Sequence, residues 1–523
     1  MRTLIKNGTV IDGTGTPGVV QDVLIEDDRI KTVGSLGSAR ADVKIDGRGL
    51  VVAPGFIDTL NHSDVYLTLF RYPEQESLLW QGVTTVVGGM CGSSLAPLVH
   101  VRVMASIQKW ADMRDFAVDW LRFGEFLNAV EKRKIGVNFA SLVGHATLRR
   151  GLVGDAFRAL NPEEQKTMEY LLEGAFSEGA FGLSSGLAYS HAKVAPREEL
   201  VRLLKIVHKY EGIYASHIRG EGEELPFALD EAVAAARRAD VPVNISHLKA
   251  MGKPYWKLFS QALKAIDGAR ASGVRITFNC YPYTVTGSVL YTLLPDWVAE
   301  GGRNKMLERL RDPAIRVRAA AEMRMRIPYD YESVTIALVR AIPTLMGKTV
   351  AQIARNQGIS GEEAVLQILM GAEGRAIAFM DVLSKANVRL AIRHKAAHIA
   401  SDGAGYNIAH KRTREYVHPR AFGAFSRVIS AYTHPRTLPL EEVIAKMTLR
   451  PAETFGITKR GKVAAGYFAD LVLFEHRQFT DRATFANPYQ YSTGVRFLFI
   501  NGKAVIAEGK YLGTRAGVVL RKR

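Results

Sequence analysis

The sequence predicts an α/β protein: a (β/α)8 TIM-like barrel, a composite β-sandwich made from the two ends of the chain, and an inserted lid between barrel strands seven and eight. Three observations lead there. Eight short apolar runs recur between residues 50 and 403 with helical stretches between them, the alternation expected of parallel strands with crossover helices. The two ends read instead as short strands and turns. More than 100 residues separate the seventh run from the eighth, and helical segments fill that gap.

Taken in order, residues 1–53 hold LIKNGTVID, DVLIEDDRIKTVG and VKIDGRGLVVA, which alternate and are rich in Val and Ile. They form the first part of the sandwich. The barrel runs from 54 to 454. Its strand candidates are 50–62, 82–91, 136–145, 180–186, 212–218, 241–249, 275–283 and 396–403. Between them, Asn161-Pro162-Glu163-Glu164 gives an N-cap with Pro at the first helical position. PREELVRLLKIVHKYEG and LDEAVAAARRAD carry apolar residues at helical spacing. Residues 286–390 form the insert and its helices. Residues 455–523 return to the sandwich through GYFADLVLFE and FLFINGKAVIAEGKYLG, where Asn501-Gly502 marks a hairpin.

Composition narrows the function classes. The chain has 523 residues, 47% hydrophobic and 23% charged, with no repeat of fixed period. No run of 18 apolar residues exists to span a bilayer, and the start lacks an apolar leader, so a cytoplasmic protein without membrane partners is expected. Two cysteines exclude a secreted disulfide framework. The net charge of +17 raises nucleic acid as a partner. The charge is scattered, however. Its densest excess is residues 456–523, with 12 Lys/Arg against 4 Asp/Glu and no nucleic-acid motif. No nucleic-acid partner is expected.

In a barrel the chemistry lies at the C-terminal ends of the strands. Cys91 ends the second candidate strand, His217 the fifth, His247 the sixth and Asp402 the eighth. Each alone has an ordinary reading, as a buried thiol, core histidines and a turn aspartate. Their coincidence at one end of one barrel is what points to a metal site. Thiolate and imidazole with an open fourth position suit catalytic zinc, which lowers the pKa of a bound water to about 7 and polarises carbonyls. Asp402 is the carboxylate placed to move the proton.

Further motifs carry a resemblance. Pro54-Gly55-Phe56-Ile57-Asp58 with His62-Ser63-Asp64 resembles the strand-one signature of the amidohydrolase superfamily. GVTTVVGGMCGSSLAPL, GHATLRR, GAFGLSSGLAYS, SHIRGEGE, ISHLKAMG, CYPYTVTGS, LPDWVAEGG, ASDG and HPRAFGAFSRV together resemble the D-aminoacylase (N-acyl-D-amino-acid deacylase) family over nearly the whole chain. The resemblance implies that Cys91, His217 and His247 are the tight Zn2+ ligands and that Asp402 is the general acid/base. It implies that Lys249, Tyr189 and Tyr283 contact substrate. It also implies that Arg420 pairs with the substrate carboxylate, a role that the planar guanidinium suits.

One departure stands out. Leu60 occupies the first position of the superfamily's His-X-His, so one tight metal is expected and a full two-metal site is not. His62 stays open between weak second ligand, substrate contact and core. His145 and Arg149 lie near the third strand end as support for the site. GGMCGSS lacks a P-loop lysine. Cys280 reads as a packed thiol, and the His394/His398 pair is set aside because His398 falls in the eighth strand run.

The activity implied is zinc-dependent hydrolysis of small-molecule N-acyl-D-amino acids to a carboxylic acid and a D-amino acid. The alternatives are a related hydrolase of a cyclic amide or a D-residue dipeptide, and a non-catalytic scaffold. The sequence leaves the oligomeric state open.

Overall fold

A computed structural model describes every residue except 38, 105–110, 112, 114, 115, 434–437 and 523. The barrel strands are Phe56–Asp58, Val83–Gly88, Asn138–Ser141 continued by Val143–Gly144, Gly182–Gly186, Ile213–His217, Val243–Ile245, Ile276–Cys280 and Ala397–Ile399. They pair in parallel in chain order from first to third and from the third's continuation to the eighth, except that the eighth follows the seventh across the insert. Asn61 and Gly403 close the ring through a parallel bridge, and Asp402 N donates to Leu60 O at 3.0 Å.

The helices follow from apolar spacing and capping. Asn161 caps Pro162–Ser177, its side chain accepting from Glu164 N while the Glu164 carboxylate accepts from Asn161 N. Arg197–Lys209 buries Leu200, Val201, Leu203, Leu204 and Val207. Each such side chain contributes roughly 1.5–3 kcal/mol on burial, so Leu204→Ala, with its cavity, costs about 2–5 kcal/mol.

Strands from both chain ends form a single nine-stranded sheet, joined where Val51–Pro54 pairs antiparallel with Leu471–Phe474. Asn501 and Gly502, at φ 49° and 73°, turn Val495–Ile500 into Lys503–Ala507. Positive φ at both central residues is what a type I′ hairpin needs.

Two expectations are corrected. The run 50–62 is not one barrel strand: Val51–Pro54 belongs to the terminal sheet and Phe56–Asp58 to the barrel. The chain switches layers at Gly55, where a Cβ would meet Thr84 Cγ2 at 2.2 Å, so a larger residue does not fit. The insert is not only helical. Val285–Val289, Ile377–Asp381 and Val334–Leu338 make a three-stranded antiparallel sheet over the barrel's C-terminal end. Among the described residues no helix is long and apolar enough to cross a membrane.

Candidate metal and catalytic centre

The barrel delivers its polar residues to one place through strained turns. His217 is the last residue of the fifth strand. Cys91, His247 and Asp402 follow the second, sixth and eighth strands with φ of 53°, 37° and 48°. Non-glycine residues in this left-handed region carry a backbone cost, and such cost gathers where side-chain aim matters.

The ligand atoms of Cys91, His217 and His247 lie within 4.8 Å of one another, all on buried residues. His247 Nε2 is 3.4 Å from Cys91 Sγ, and the two imidazoles meet edge to face at 4.4 Å. His217 Nδ1 is buried without a hydrogen-bond partner. Burial pushes the His217 imidazole down to about 3, against the pull of Glu221, so its ring is neutral with a free lone pair. Burial and then Asp402 push the Cys91 thiol well up in the bare protein. A divalent cation among these atoms would deprotonate that thiol outright. An orphaned imidazole nitrogen, a second imidazole and a thiol, mutually within reach, fit a three-ligand zinc site.

His62, Cys91 and Asp402 form a second trio that shares the same sulfur. His62 Nε2 is 3.0 Å from Asp402 Oδ1, and its ring stacks on Tyr66. Leu60 is fully buried in an apolar cluster with Ile57, Val87 and Met90. Burial favours the neutral form of Asp402, but Arg420, His247 and His62 outweigh it and hold the carboxyl well below the usual carboxylate range.

Arg420 opens the helix Arg420–Tyr432, where its Nη1 lies 2.8 Å from Asp402 Oδ2 and its guanidinium sits over the Tyr281 ring. Its Nε is buried without a hydrogen-bond partner. Lys249 Nζ is 2.5 Å from Glu221 Oε1 and 2.8 Å from His247 Nδ1. The Tyr189 ring lies 5.1 Å from that of His217.

Both trios line one cavity of about 760 Å3, together with Arg420, Lys249, Glu221 and Tyr189. Its far wall comes from the insert, including Leu293, Leu294, Ile327 and Tyr329. Tyr283 does not line it. A tight turn, with Tyr283 N donating to Tyr281 O at 3.0 Å, swings it beneath Arg427 and edge-on to His418. His145 and Arg149 stand behind the wall, both buried on Glu199 at 2.8 and 2.5 Å. Cys280 is a buried free thiol that burial pushes up to about 12. His394 and His398 do not reach the cavity; His394 bonds Asp267 and His398 faces Thr454.

Sequence reasoning missed Glu221 and Tyr66, both on the cavity wall. The signal for Glu221 was present: it is the carboxylate four residues after His217 in SHIRGEGE.

Comparison with known proteins gives the family. Residues 44–506 match the amidohydrolase family. A D-aminoacylase of Alcaligenes xylosoxydans xylosoxydans is 35% identical over 99% of this chain and 97% of its own. An N-acyl-D-glutamate deacylase of the same organism is 33% identical over 99% and 96%. Among solved structures, a D-aminoacylase superposes with a TM-score of 0.84 at 33% identity, covering 99% of both chains. The N-acyl-D-glutamate deacylase of Bordetella bronchiseptica, complexed with zinc and a phosphonate mimic of the tetrahedral intermediate, superposes at 0.83 with 29% identity, again over 99% of each chain. The chain belongs to the amidohydrolase family, in its D-aminoacylase branch.

Proposed function

We propose that this protein hydrolyses the amide bond of N-acyl-D-amino acids, releasing a carboxylic acid and a D-amino acid. The observation that carries this reading is the Cys91–His217–His247 cluster set beside the buried Asp402–Arg420 pair on the floor of one open cavity. The relatives act on N-acyl-D-amino acids by name, and one neighbour holds zinc with a mimic of the tetrahedral intermediate.

Cys91, His217 and His247 would hold one zinc tightly. Bound there, the metal supplies a Lewis acid for the acyl carbonyl and lowers the pKa of the attacking water. Asp402 accepts the proton of that water and hands it to the departing nitrogen, a role open to a carboxylate held ionised at the cluster. Arg420 keeps Asp402 charged and turns its unpartnered Nε toward the substrate carboxylate. Lys249 and Tyr189 orient the rest of the substrate. His62 contributes a weak second metal position with Cys91, limited by Leu60. Segments 1–53 and 455–523 act together as one sheet module beside the barrel, and residues 286–390 serve as a lid.

The test is a screen of the zinc-loaded protein on paired N-acetyl-D- and N-acetyl-L-amino acids, with metal content measured alongside. Turnover of D-substrates is expected. Turnover confined to L-substrates would overturn the stereochemistry, and no hydrolysis of either by zinc-replete protein would overturn the reading.

A further inference from the structure

One carboxylate on the cavity wall has no part in the chemistry just described. Glu221 Oε1 lies 3.1 Å from His247 Nδ1, 2.5 Å from Lys249 Nζ and 3.9 Å from His217 Nε2. Its side chain is 12% exposed. His247 therefore has two distinct edges. Nε2 faces Cys91 Sγ at 3.4 Å, and Nδ1 faces Glu221 and Lys249.

The donor inventory decides between the two forms of this ring. An ammonium only donates, a carboxylate only accepts, and a neutral imidazole does one at each nitrogen. With Lys249 alone beside it, at 2.8 Å, Nδ1 would accept and Nε2 would carry the hydrogen. That form presents an N–H to Cys91 and has no lone pair for a cation. The Glu221 carboxylate, 3.1 Å away, can only accept, so it favours the form in which Nδ1–H donates to it and the Nε2 lone pair is left directed at the cluster.

We infer that Glu221 is a positioning residue of the zinc site, fixing His247 in its Nδ1–H form and anchoring Lys249 with the same oxygen. The inference rests on the zinc-site reading above. It has a second consequence. Once Nδ1 carries a hydrogen, Lys249 can no longer donate to it, and its donors are left with Glu221 Oε1, the His247 carbonyl oxygen at 3.3 Å and the cavity. Loading of the cluster and presentation of Lys249 to substrate are thus coupled through one carboxylate.

Two measurements test this. Glu221→Gln preserves the shape and removes the charge. In competition with a chromophoric chelator it should bind zinc about 10- to 100-fold more weakly than the parent protein, the usual loss when a ligand's carboxylate partner is removed. The visible d–d bands of its cobalt-substituted form should change, which a merely structural role would not cause. Independently, zinc-loaded parent protein labelled with 15N-histidine should show a protonated Nδ1 on His247, assigned by loss of the signal in His247→Gln. This second experiment needs no Glu221 variant to fold. Unchanged zinc affinity and cobalt spectrum in Glu221→Gln, or an Nε2-protonated His247, overturns the inference and leaves the hydrolase reading standing. A parent protein that takes up no zinc overturns both.

Discussion

Arg420 Nη1 lies 2.8 Å from Asp402 Oδ2, and both side chains are almost wholly buried. The residue implied by resemblance to grip the substrate is thus already ion-paired with the residue implied to move the proton. Arg420→Ala removes a substrate contact and also leaves Asp402 without its counter-charge. Losing one partner of a buried charged pair costs about 2–5 kcal/mol, so kcat/KM should fall roughly 30-fold to several thousand-fold. N-acyl-D-amino acids and their amides, which lack the carboxylate, should both suffer. Parallel kinetics on the two substrates check this, and a loss confined to the acids would mean that the ion pair does not matter for proton transfer.

Asp402→Asn keeps the side-chain volume and removes the base. Zinc content should stay at one per chain while kcat falls at least about 10²-fold, as expected for a lost general acid/base. Metal analysis and turnover on the same preparation separate the two effects. Near-parental kcat would take Asp402 out of the mechanism.

Cys91 belongs to both trios of potential ligands, whereas His62 belongs to one. Cys91→Ala should therefore abolish tight zinc and any weaker metal taken up at high zinc concentration. His62→Ala should lose only the weaker one. Stoichiometry by elemental analysis after mild chelation is the measurement, and two chelation-resistant metals per chain would contradict it.

Lys446 provides a pH prediction away from the centre. Its side chain is fully buried, donating to His394 O, and burial pushes its ammonium down to about 8 despite nearby Glu442. The folded pKa lies below the unfolded value of about 10.4, so between these two pH values the unfolded chain binds more protons and stability rises with pH. Below pH 8 the folded state bears the whole cost of charging a buried amine, on the order of 3 kcal/mol. Lys446→Met should raise Tm at pH 7, with the difference shrinking toward pH 10. A difference that does not change with pH would show that Lys446 is not the titrating group.

Much of the barrel was legible because each strand is an apolar run that stops at a polar residue, and parallel strands covered on both faces read that way. The same rule placed Cys91, His217, His247 and Asp402 at one rim, where their ligand and carboxylate atoms do gather. The insert's sheet was not legible. Val285–Val289 and Ile377–Asp381 pair across some 90 residues, and no hairpin turn joins them to announce the pairing. Glu221 escaped for a related reason: its partners Lys249 and His247 come from the next strand's loop, and only the barrel brings them together. Tyr283 shows the converse. Its motif was recognisable, but a local backbone turn decides where the ring goes.

The pairing of Val51–Pro54 with Leu471–Phe474 sets an order of events during synthesis. Roughly 400 residues separate the partners, so at translation speeds of about 5–20 residues per second the early strand waits roughly 20–80 s for its neighbour. All eight barrel strands leave the ribosome within that interval. The barrel can therefore close around its ligands first, while Val51 and Val52 stand as an unpaired apolar edge of the kind that invites aggregation and chaperone capture. Shedding such a chaperone on this protein should track completion of the last strands and not assembly of the catalytic rim.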